Sequence, residues 1–234
     1  DTLDCAHQSI SLGFLFPNVG GYQWSGPGGF SSTEASPIIS EPGNYQVTTT
    51  NNQGCTGTGN IFVIEDTVQP TIAVEAVVAT CFGQNTGGID ISVSGASGPY
   101  TYSWFNNGTL IGSFPNISGL GEGTYTCQVT AKNGCSSTLT VTVSSLPELP
   151  AFSGVDTLDC AHPSVEMDAT LAGIISYQWS GPGGYTSSLA NPVVSESGTY
   201  QVIFTNAQGC TRTGSFVVLQ SAELPSITQE QVIA

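Results

Sequence analysis

The sequence predicts an all-β chain of tandem immunoglobulin-like β-sandwich domains arranged as an extended rod. Two observations support this fold class. The octapeptide Tyr-Gln-Trp-Ser-Gly-Pro-Gly-Gly at 22–29 returns letter for letter at 177–184, an offset of 155 residues. Short alternating segments rich in β-branched and aromatic residues recur between turn signals, as in sandwich strands, and no stretch has helical periodicity. We therefore expect several copies of related domains.

The internal repeat defines the domain boundaries. Residues 1–7 recur as 156–162, and Pro70 recurs as Pro225, both at the offset of 155. Short, stiff proline linkers then separate a first-type domain, a second-type domain, another first-type domain and the opening strand of a further second-type domain. These segments are 1–69, 70–149, 150–224 and 225–234. The first domain lacks the counterpart of 151–155, so we expect a window cut from a longer array. Incomplete ends that complement each other between chains are the alternative.

Each domain carries the same landmarks in the same order: an early cysteine, a tryptophan, a Gly-x-Tyr segment and a cysteine ten residues after that tyrosine. The tyrosines resemble the tyrosine corner of immunoglobulin-like sandwiches. One tryptophan occurs per domain at a fixed place, which favours core packing over the alternative of a sugar-stacking platform. The predicted core markers are Trp24, Trp104, Trp179, Tyr45, Tyr125 and Tyr200.

The tyrosine of each domain begins a predicted terminal hairpin. Its first strand alternates and is rich in β-formers, a turn signal ending in Gly-Cys follows, and a last strand closes the domain. The first strands are 43–50, 123–130 and 198–205, and the last strands are 61–64, 139–143 and 216–219.

Six of the seven cysteines recur at regular spacing, 50, 54 and 50 residues apart, which indicates an oxidising, extracellular compartment. Although six cysteines allow 15 pairings, the repeat favours one bond within each domain. Closing each loop of about 50 residues stabilises by roughly 4 kcal/mol in the chain-entropy model. Zinc binding is the rival interpretation, but there is no Cys-x-x-Cys pair. The predicted disulfides are Cys5–Cys55, Cys81–Cys135 and Cys160–Cys210.

Cys127 stands where the other two domains have Val47 and Val202. A cysteine replacing an inward-facing valine predicts a buried free thiol. Intermolecular pairing is an alternative that needs exposure, and nucleophilic catalysis would need a nearby base. The two histidines, His7 and His162, lie at equivalent positions of the other domains.

The acidic net charge argues against a nucleic-acid partner and leaves calcium as a possible ligand. The chain has seventeen acidic and two basic residues, for a net charge of −15. Nucleic-acid binding needs Lys and Arg to displace the counterions of the phosphates, so no nucleic-acid partner is expected. No apolar run approaches 18 residues, so no membrane insertion is expected. No cofactor is predicted except Ca²⁺, although no Asp-x-Asp-x-Asp loop is present. Candidate ligands near the linkers are Asp4, Asp66 and Asp159, with Asp1, Glu65, Asp156 and Glu223.

Catalytic motifs are missing from the sequence. There is no Gly-x-Ser-x-Gly, His-Glu-x-x-His or phosphate-binding loop. We therefore do not expect an enzyme, and no catalytic residue is named.

The second domain resembles a known repeat family. It reads Cys-Phe-Gly-Gln-Asn-Thr-Gly-Gly-Ile at 81–89, Gly-Pro-Tyr-Thr-Tyr-Ser-Trp at 98–104, Ile-Ser-Gly-Leu at 117–120, Gly-Thr-Tyr at 123–125 and Asn-Gly-Cys at 133–135. These segments resemble the SprB-type repeat of Bacteroidota gliding-motility adhesins over most of 81–143, with Cys127 as the departure from the family's aliphatic residue. The first and third domains resemble the PKD- or immunoglobulin-like modules found beside such repeats.

The resemblance implies a long protein of the cell surface, secreted by the type IX route and carrying O-glycans on Asp-Thr segments. Asp-Thr followed by Leu or Val occurs three times, which makes Thr2, Thr67 and Thr157 the candidate acceptors.

The function expected from these observations is a structural spacer of a secreted cell-surface adhesin or extracellular fibre, supporting adhesion or gliding. Its expected partners are further copies of the repeat in the same chain, with other fibre chains or surface glycans beyond them. Two alternatives remain. One is a carbohydrate-binding array with exposed platforms such as Phe30, Phe105 or Tyr185, in which repetition supplies avidity. The other is an accessory region of a secreted hydrolase.

Overall fold

The computed structural model describes residues 2–13 and 19–221. The chain forms two compact units, Asp1–Leu146 and Pro147–Ala234. Strands dominate throughout, and the helical pieces in the described ranges are two 3₁₀ turns, Pro27–Gly29 and Pro182–Gly184. No described helix is long and apolar enough to span a membrane. The predicted opening strand at 225–234 lies outside the described residues.

The first domain has seven strands in the described residues. One sheet has the order β1-β7-β6-β3-β4, with β1 parallel to β7 and the other pairs antiparallel, and β2 pairs with β5 in a second sheet. The strands are β1 (Thr2–Asp4), β2 (Ile10–Ser11), β3 (Val19–Ser25), β4 (Ser31–Ser32), β5 (Ile38–Ile39), β6 (Gly43–Asn51) and β7 (Thr56–Asp66).

The second domain belongs to the same unit and has two larger sheets. Their strand orders are β11-β10-β13-β14 and β12-β9-β8. The strands are β8 (Thr71–Val78), β9 (Gly87–Ser94), β10 (Thr101–Asn106), β11 (Thr109–Gly112), β12 (Asn116–Leu120), β13 (Gly123–Thr130) and β14 (Ser136–Val143).

The third domain repeats the first in the second unit. Its sheets have the orders β15-β21-β20-β17-β18 and β16-β19, and β15 is again parallel to the last strand. The strands are β15 (Ser153–Leu158), β16 (Val165–Glu166), β17 (Ile174–Ser180), β18 (Thr186–Ser187), β19 (Val193–Val194), β20 (Gly198–Asn206) and β21 (Thr211–Gln220).

A separate hydrophobic core lies between the two sheets of each domain, centred on its tryptophan. The inward residues alternate along the hairpin strands; in β20, for example, Tyr200, Val202 and Phe204 are buried. This period of two is what the sequence pattern predicts for a half-buried strand. The all-β, tandem immunoglobulin-like architecture is therefore confirmed, and the three predicted hairpins are present with longer last strands.

The tyrosine corner is formed in every domain. The hydroxyl of Tyr45 donates to the carbonyl of Glu41 over 2.8 Å, that of Tyr125 to Gly121 over 3.0 Å and that of Tyr200 to Glu196 over 2.8 Å. All three rings are buried. Burial raises the pKa of Tyr200, with the Glu196 carboxylate as the next cause. The three tyrosines are therefore core residues, as predicted.

The glycine that follows Trp-Ser in the repeated octapeptide is required because the ring of the corner tyrosine packs directly against its backbone. A Cβ on Gly26 would lie 2.4 Å from the ring of Tyr45, and one on Gly181 would lie 2.3 Å from the ring of Tyr200. Since real side chains do not approach so closely, only glycine lets the backbone pass flat over the tyrosine. In both domains, the glycine of the octapeptide and the corner tyrosine therefore pack against each other.

The second compact unit begins earlier than the sequence boundary at 149/150. It starts at Pro147, and Leu149 packs against the third domain's core. Arg212 fastens this segment, because its Nη1 lies 2.8 Å from Glu148 Oε1 and also donates to the carbonyl of Leu149. The linker between the second and third domains therefore contributes to the third.

Candidate functional site

The most specific arrangement in the chain is a covalent junction between the first and second domains, inside the Asp1–Leu146 unit. Cys5 and Cys135 form a disulfide with an S–S distance of 2.00 Å and a Cα–Cα distance of 4.9 Å, although they are 130 residues apart in sequence. The junction is built from two short loops. One follows β1 in the first domain, and the other precedes β14 in the second.

Asp4 shapes the loop that presents Cys5. Its Oδ1 accepts hydrogen bonds from the backbone N–H of Ala6 (3.0 Å) and His7 (2.7 Å), and lies 3.0 Å from His7 Nδ1. Partial burial alone would raise the pKa of this carboxyl, but the bonds from His7 and Ala6 outweigh it and lower the pKa. The ionised carboxylate therefore holds the loop closed around the cysteine.

Asn133 anchors the second domain's loop to the linker that leaves the first domain. Its Nδ2 donates to Asp66 O (3.2 Å), Asp66 Oδ1 (3.0 Å) and Val68 O (2.9 Å), while its Oδ1 accepts the N–H of Cys135 over 3.1 Å. The side chain is 5% exposed. A buried amide with all these bonds fixes the junction's geometry, because each bond would be costly to leave unmade.

Gly134 lets the two loops touch. A Cβ at this position would lie 2.6 Å from the Cβ of Ala6, and the N–H of Ala6 donates to the carbonyl of Asn133 over 3.3 Å. The φ angle of Gly134 is +74°. Both the close approach and the left-handed backbone therefore favour glycine here.

The predicted bonds Cys5–Cys55 and Cys160–Cys210 are wrong. Cys55 and Cys160 are free and exposed. The reason is strand direction: β1 runs parallel to β7, with Asp4 opposite Asp66, so Cys5 lies where β7 ends. Cys55 precedes β7, which has 11 residues, and the two ends of such a strand are separated by roughly 30 Å, far beyond disulfide reach.

The same geometry excludes the predicted bond Cys81–Cys135. Thr80 pairs in parallel with Ser145, so Cys81 lies near the end of β14, while Cys135 immediately precedes its start. Cys135 is bonded to Cys5 instead. Cys81 and Cys210 are each disulfide-bonded, though not to the cysteines that the spacing predicted.

Cys127 is a buried free thiol, as expected. It lies on β13 opposite Trp104 and Leu139 and is 0% exposed. Burial raises its pKa to about 11, so the thiolate needed for nucleophilic attack is scarce at neutral pH. The burial excludes the alternative of intermolecular pairing in the folded state.

The tryptophans are core residues and do not offer a sugar-stacking face. Trp24, Trp104 and Trp179 are at most 1% exposed. Phe30 and Tyr185, suggested as exposed platforms, lie edge-to-face on the corner tyrosines with centroids 5.4 and 5.3 Å apart. With Phe105, they are half-buried.

The candidate calcium ligands that the structure describes have other hydrogen-bond partners or contacts, and calcium binding stays a prediction. Within the described ranges, no three His, Cys, Asp or Glu side chains come together as a metal-binding group. Asp4 and Asp66 take part in the junction, and Asp159 accepts N–H bonds from Ala161 (2.8 Å) and His162 (2.6 Å). Asp1 and Glu223 lie outside the described residues.

The three candidate glycan acceptors differ in exposure. Thr67 is exposed in the linker. It lies between Asp66 and Val68, whose backbone carbonyls accept hydrogen bonds from Asn133. Thr2 and Thr157 are half-buried on the parallel strands β1 and β15. Thr67 is therefore the most accessible of the three.

Sequence reasoning missed Ala6 and Asn133 as junction residues. One signal was available: the turn before the last cysteine reads Asn-Gly-Cys in the second domain but Gln-Gly-Cys at 53–55 and 208–210. The shorter amide at Asn133 bonds its own turn and the linker together. Nothing in the sequence alone indicated the contact with Ala6.

The family model of the SprB repeat matches residues 75–109. The match begins within β8 and ends at the first residue of β11, so it covers the part of the second domain that includes Trp104. It supports the resemblance found in the sequence. No curated protein matches the chain.

Solved structures of tandem domains are similar over most of the chain but only loosely. The N-terminal eight immunoglobulin domains of Down syndrome cell adhesion molecule give a TM-score of 0.35 at 16% identity, covering 92% of this chain and 35% of that one. A 1.5-MDa bacterial ice-binding adhesin gives 0.43 at 15%, covering 94% of each chain. The I9–I11 tandem of titin gives 0.44 at 10%, covering 91% and 94%. The chain spans about a third of the adhesion-molecule fragment, and superpositions this loose do not bear on function.

Proposed function

We propose that the chain is a structural segment of a long cell-surface adhesin or extracellular fibre, in which a two-domain unit is copied to give length. The observation that carries the proposal is the Cys5–Cys135 junction. A covalent bond that joins two different sandwiches adds nothing to a binding pocket in either of them, but it fixes one domain against the next. Fixing neighbours is what a spacer requires.

The match to the SprB repeat and the disulfide bonds support a repeat segment of a cell-surface protein. The surface of the domains fits the same role. Charged residues are 8% of the sequence and nearly all are acidic, giving a net charge of −15, so separate chains repel one another and stay dispersed. A role in gliding, rather than in static attachment, is a finer proposal that rests on the resemblance alone.

Surface labelling tests this proposal. Antibodies raised against the 234-residue chain should label intact, unpermeabilised cells of the source organism, and shaving those cells with protease should remove the signal. Electron microscopy of the shaved or sheared material should show fibres. Labelling that appears only after permeabilisation, or globular particles alone, would contradict the proposal.

A shallow depression in the second domain favours glycan binding as a second candidate function. It lies beside Tyr125, where the first domain carries its Gly-Pro-Gly-Gly turn, and is lined by Asn85, Asn106, Asn116 and Phe114. Phe114 is 71% exposed. An exposed ring beside several amides offers a stacking face and hydrogen bonds to a sugar.

A glycan array separates this candidate from the spacer. If the depression binds sugars, Phe114→Ala should abolish the signals that the unchanged chain gives. Phe62→Ala is the matched control, because Phe62 is similarly exposed, at 67%, but lies in the first domain. Absence of binding by the unchanged chain, or equal loss in both variants, would remove glycan binding at this place.

We also propose O-glycosylation at Thr67, and at Thr2 and Thr157 if modification precedes folding. The support is the Asp-Thr motif together with the exposure of Thr67. Intact mass of the protein isolated from its own cells should show hexose-sized increments, and Thr67→Ala should remove one glycan. A mass equal to that of the bare chain would contradict it.

A further inference from the structure

The loop that carries Cys5 has a structural copy in the third domain. At the first copy, Asp4 Oδ1 accepts from the N–H groups of Ala6 and His7 over 3.0 and 2.7 Å. In the second copy, Asp159 Oδ1 accepts from those of Ala161 and His162 over 2.8 and 2.6 Å. The histidine Nδ1 lies 3.0 and 3.1 Å from the same oxygen in the two copies. The backbone that presents the cysteine is therefore the same twice.

The two copies differ in what they contact. Cys5 is bonded to Cys135, and Ala6 touches Gly134 of the second domain. Cys160 is a free, exposed thiol. The third domain thus displays the same preformed loop, with its cysteine unused.

We propose that the loop at 159–162 is a docking surface for the Asn-Gly-Cys turn of a further second-type domain, and that Cys160 forms a disulfide with that domain's counterpart of Cys135. The occupant is specified by the contact seen at the first copy: a turn with an asparagine, a glycine against the alanine methyl, and a cysteine. The inference deepens the proposed function and rests on it for the supply of such a domain.

Most of the groups that hold the turn at the first copy are present at the second. The methyl and N–H of Ala161 match those of Ala6. Ser221 is the residue of the third domain equivalent to Asp66. At the first copy, Asn133 donates to the backbone carbonyls of Asp66 and Val68, and Ser221 supplies a backbone carbonyl at the position equivalent to Asp66. Only the bond to the Asp66 carboxylate depends on a side chain that changes. The counterpart of Val68, Glu223, lies outside the described residues.

The covalent step is an oxidation of two thiols. Cys160 and the partner cysteine each lose a proton and together lose two electrons as the S–S bond forms. A small dialkyl disulfide in the oxidising compartment accepts the electrons by thiol–disulfide exchange and leaves as two thiols. The step needs no metal.

A lengthened chain tests the proposal directly. Residues 225–234 are equivalent to residues 70–79 at the offset of 155. A second copy of residues 80–234, joined after Ala234, therefore completes a second-type domain in the natural order. The protein is folded in a mixed oxidised and reduced glutathione buffer, and its exposed thiols are labelled with maleimide. A Ser136→Thr mark in the appended copy distinguishes its Cys135 peptide by mass.

The expected result is a linked peptide that joins Cys160 to the marked copy of Cys135. Cys160 then loses its maleimide reactivity, while Cys55 and the terminal copy of Cys160 keep theirs and act as internal controls. A variant with Cys135→Ser in the appended copy should fold equally well and leave Cys160 reactive. Cys160 that stays free in the lengthened chain, or that bonds to another cysteine, would overturn the proposal without affecting the surface-labelling test of function.

Discussion

Each tryptophan places its only polar atom against a carbonyl ten residues further along the chain. The Nε1 of Trp24 donates to Glu34 O over 2.9 Å, that of Trp104 to Phe114 O over 2.9 Å and that of Trp179 to Leu189 O over 3.0 Å. A large ring is thereby buried without leaving its N–H unpaired. At the scale of single residues, the same two devices, this indole bond and the tyrosine corner, recur in all three domains.

Removing one corner hydroxyl should weaken its domain measurably. In Tyr200→Phe the carbonyl of Glu196 loses its partner, so the free energy of unfolding should fall by about 1 kcal/mol and the melting temperature of the third domain by roughly 4–8 °C. Tyr185→Phe is the matched control, because it keeps the edge-to-face contact between the two rings. Equal melting temperatures for Tyr200→Phe and the unchanged chain would show that the corner bond is not stabilising.

The thiols should differ sharply in reactivity. Because Cys127 is buried with a pKa raised to about 11, while Cys55 and Cys160 are exposed, maleimide at neutral pH should label two thiols in the native chain and three after denaturation without reduction. Cys127→Val should leave the native count at two and change stability little, since valine fills the equivalent position in both other domains. Native labelling of Cys127 would show that the second core opens.

Strand direction decides the disulfides at the scale of elements. Because the opening strand of the first domain runs parallel to the last one, its early and late cysteines lie at opposite ends of the sandwich. The second domain has the same arrangement through the parallel bridge of Thr80 and Ser145. The early and late cysteines of one domain are therefore too far apart to bond to each other, and Cys5 is bonded to Cys135 of the next domain instead.

Two glycines in equivalent turns should respond differently to substitution. Gly134 and Gly54 both have positive φ, +74° and +83°, so an alanine strains the backbone at either. Only the alanine at 134 would also collide with Ala6, whereas nothing lies within 4 Å of a Cβ at 54. Gly134→Ala should therefore lower the fraction of Cys5–Cys135 bond formed in a glutathione redox buffer, and Gly54→Ala should not. Equal fractions would show that the close contact is unimportant for the junction.

The sequence predicted elements well and their long-range partners poorly. Alternation in 198–205 fixed which residues of β20 face the core, because period two is a local property. The bond between Cys5 and Cys135 depends on a strand direction and on a contact 130 residues away in sequence. Spacing between cysteines reports neither, so the regular intervals predicted pairs within domains. The buried role of Cys127 was predictable because its two equivalents are valines.

At the scale of the whole molecule, the Cys5–Cys135 disulfide makes the largest single contribution to the stability of the junction between the first two domains. The disulfide closes a loop across a separation of 130 residues, for which the chain-entropy model gives about 5 kcal/mol of stabilisation. No single hydrogen bond at the junction contributes as much. We therefore expect the Asp1–Leu146 unit to depend on it.

Removing the bond should destabilise one unit selectively. The double variant Cys5→Ser/Cys135→Ser should lower the unfolding free energy of the Asp1–Leu146 unit by up to about 5 kcal/mol and leave the transition of the Pro147–Ala234 unit in place. Cys55→Ser/Cys160→Ser is the control, since it removes the two exposed free thiols with the same chemical change. Urea denaturation followed by hydrogen exchange assigns each transition to its unit. An unchanged first transition would show that the junction's other contacts suffice.

The covalent junction also determines which residues carry a pulling force. Tension that enters the chain before Cys5 crosses to Cys135 through the two sulfur atoms, because this path is far shorter than the separation of 130 residues in the chain. At about 3.3 Å per residue, the enclosed loop hides roughly 430 Å of extended length. Only β1 and β14 of the two sandwiches remain on the path of the force. Under tension, the length enclosed between Cys5 and Cys135 therefore stays folded away until the sulfur–sulfur bond is cut, so a reductant rather than shear would release it.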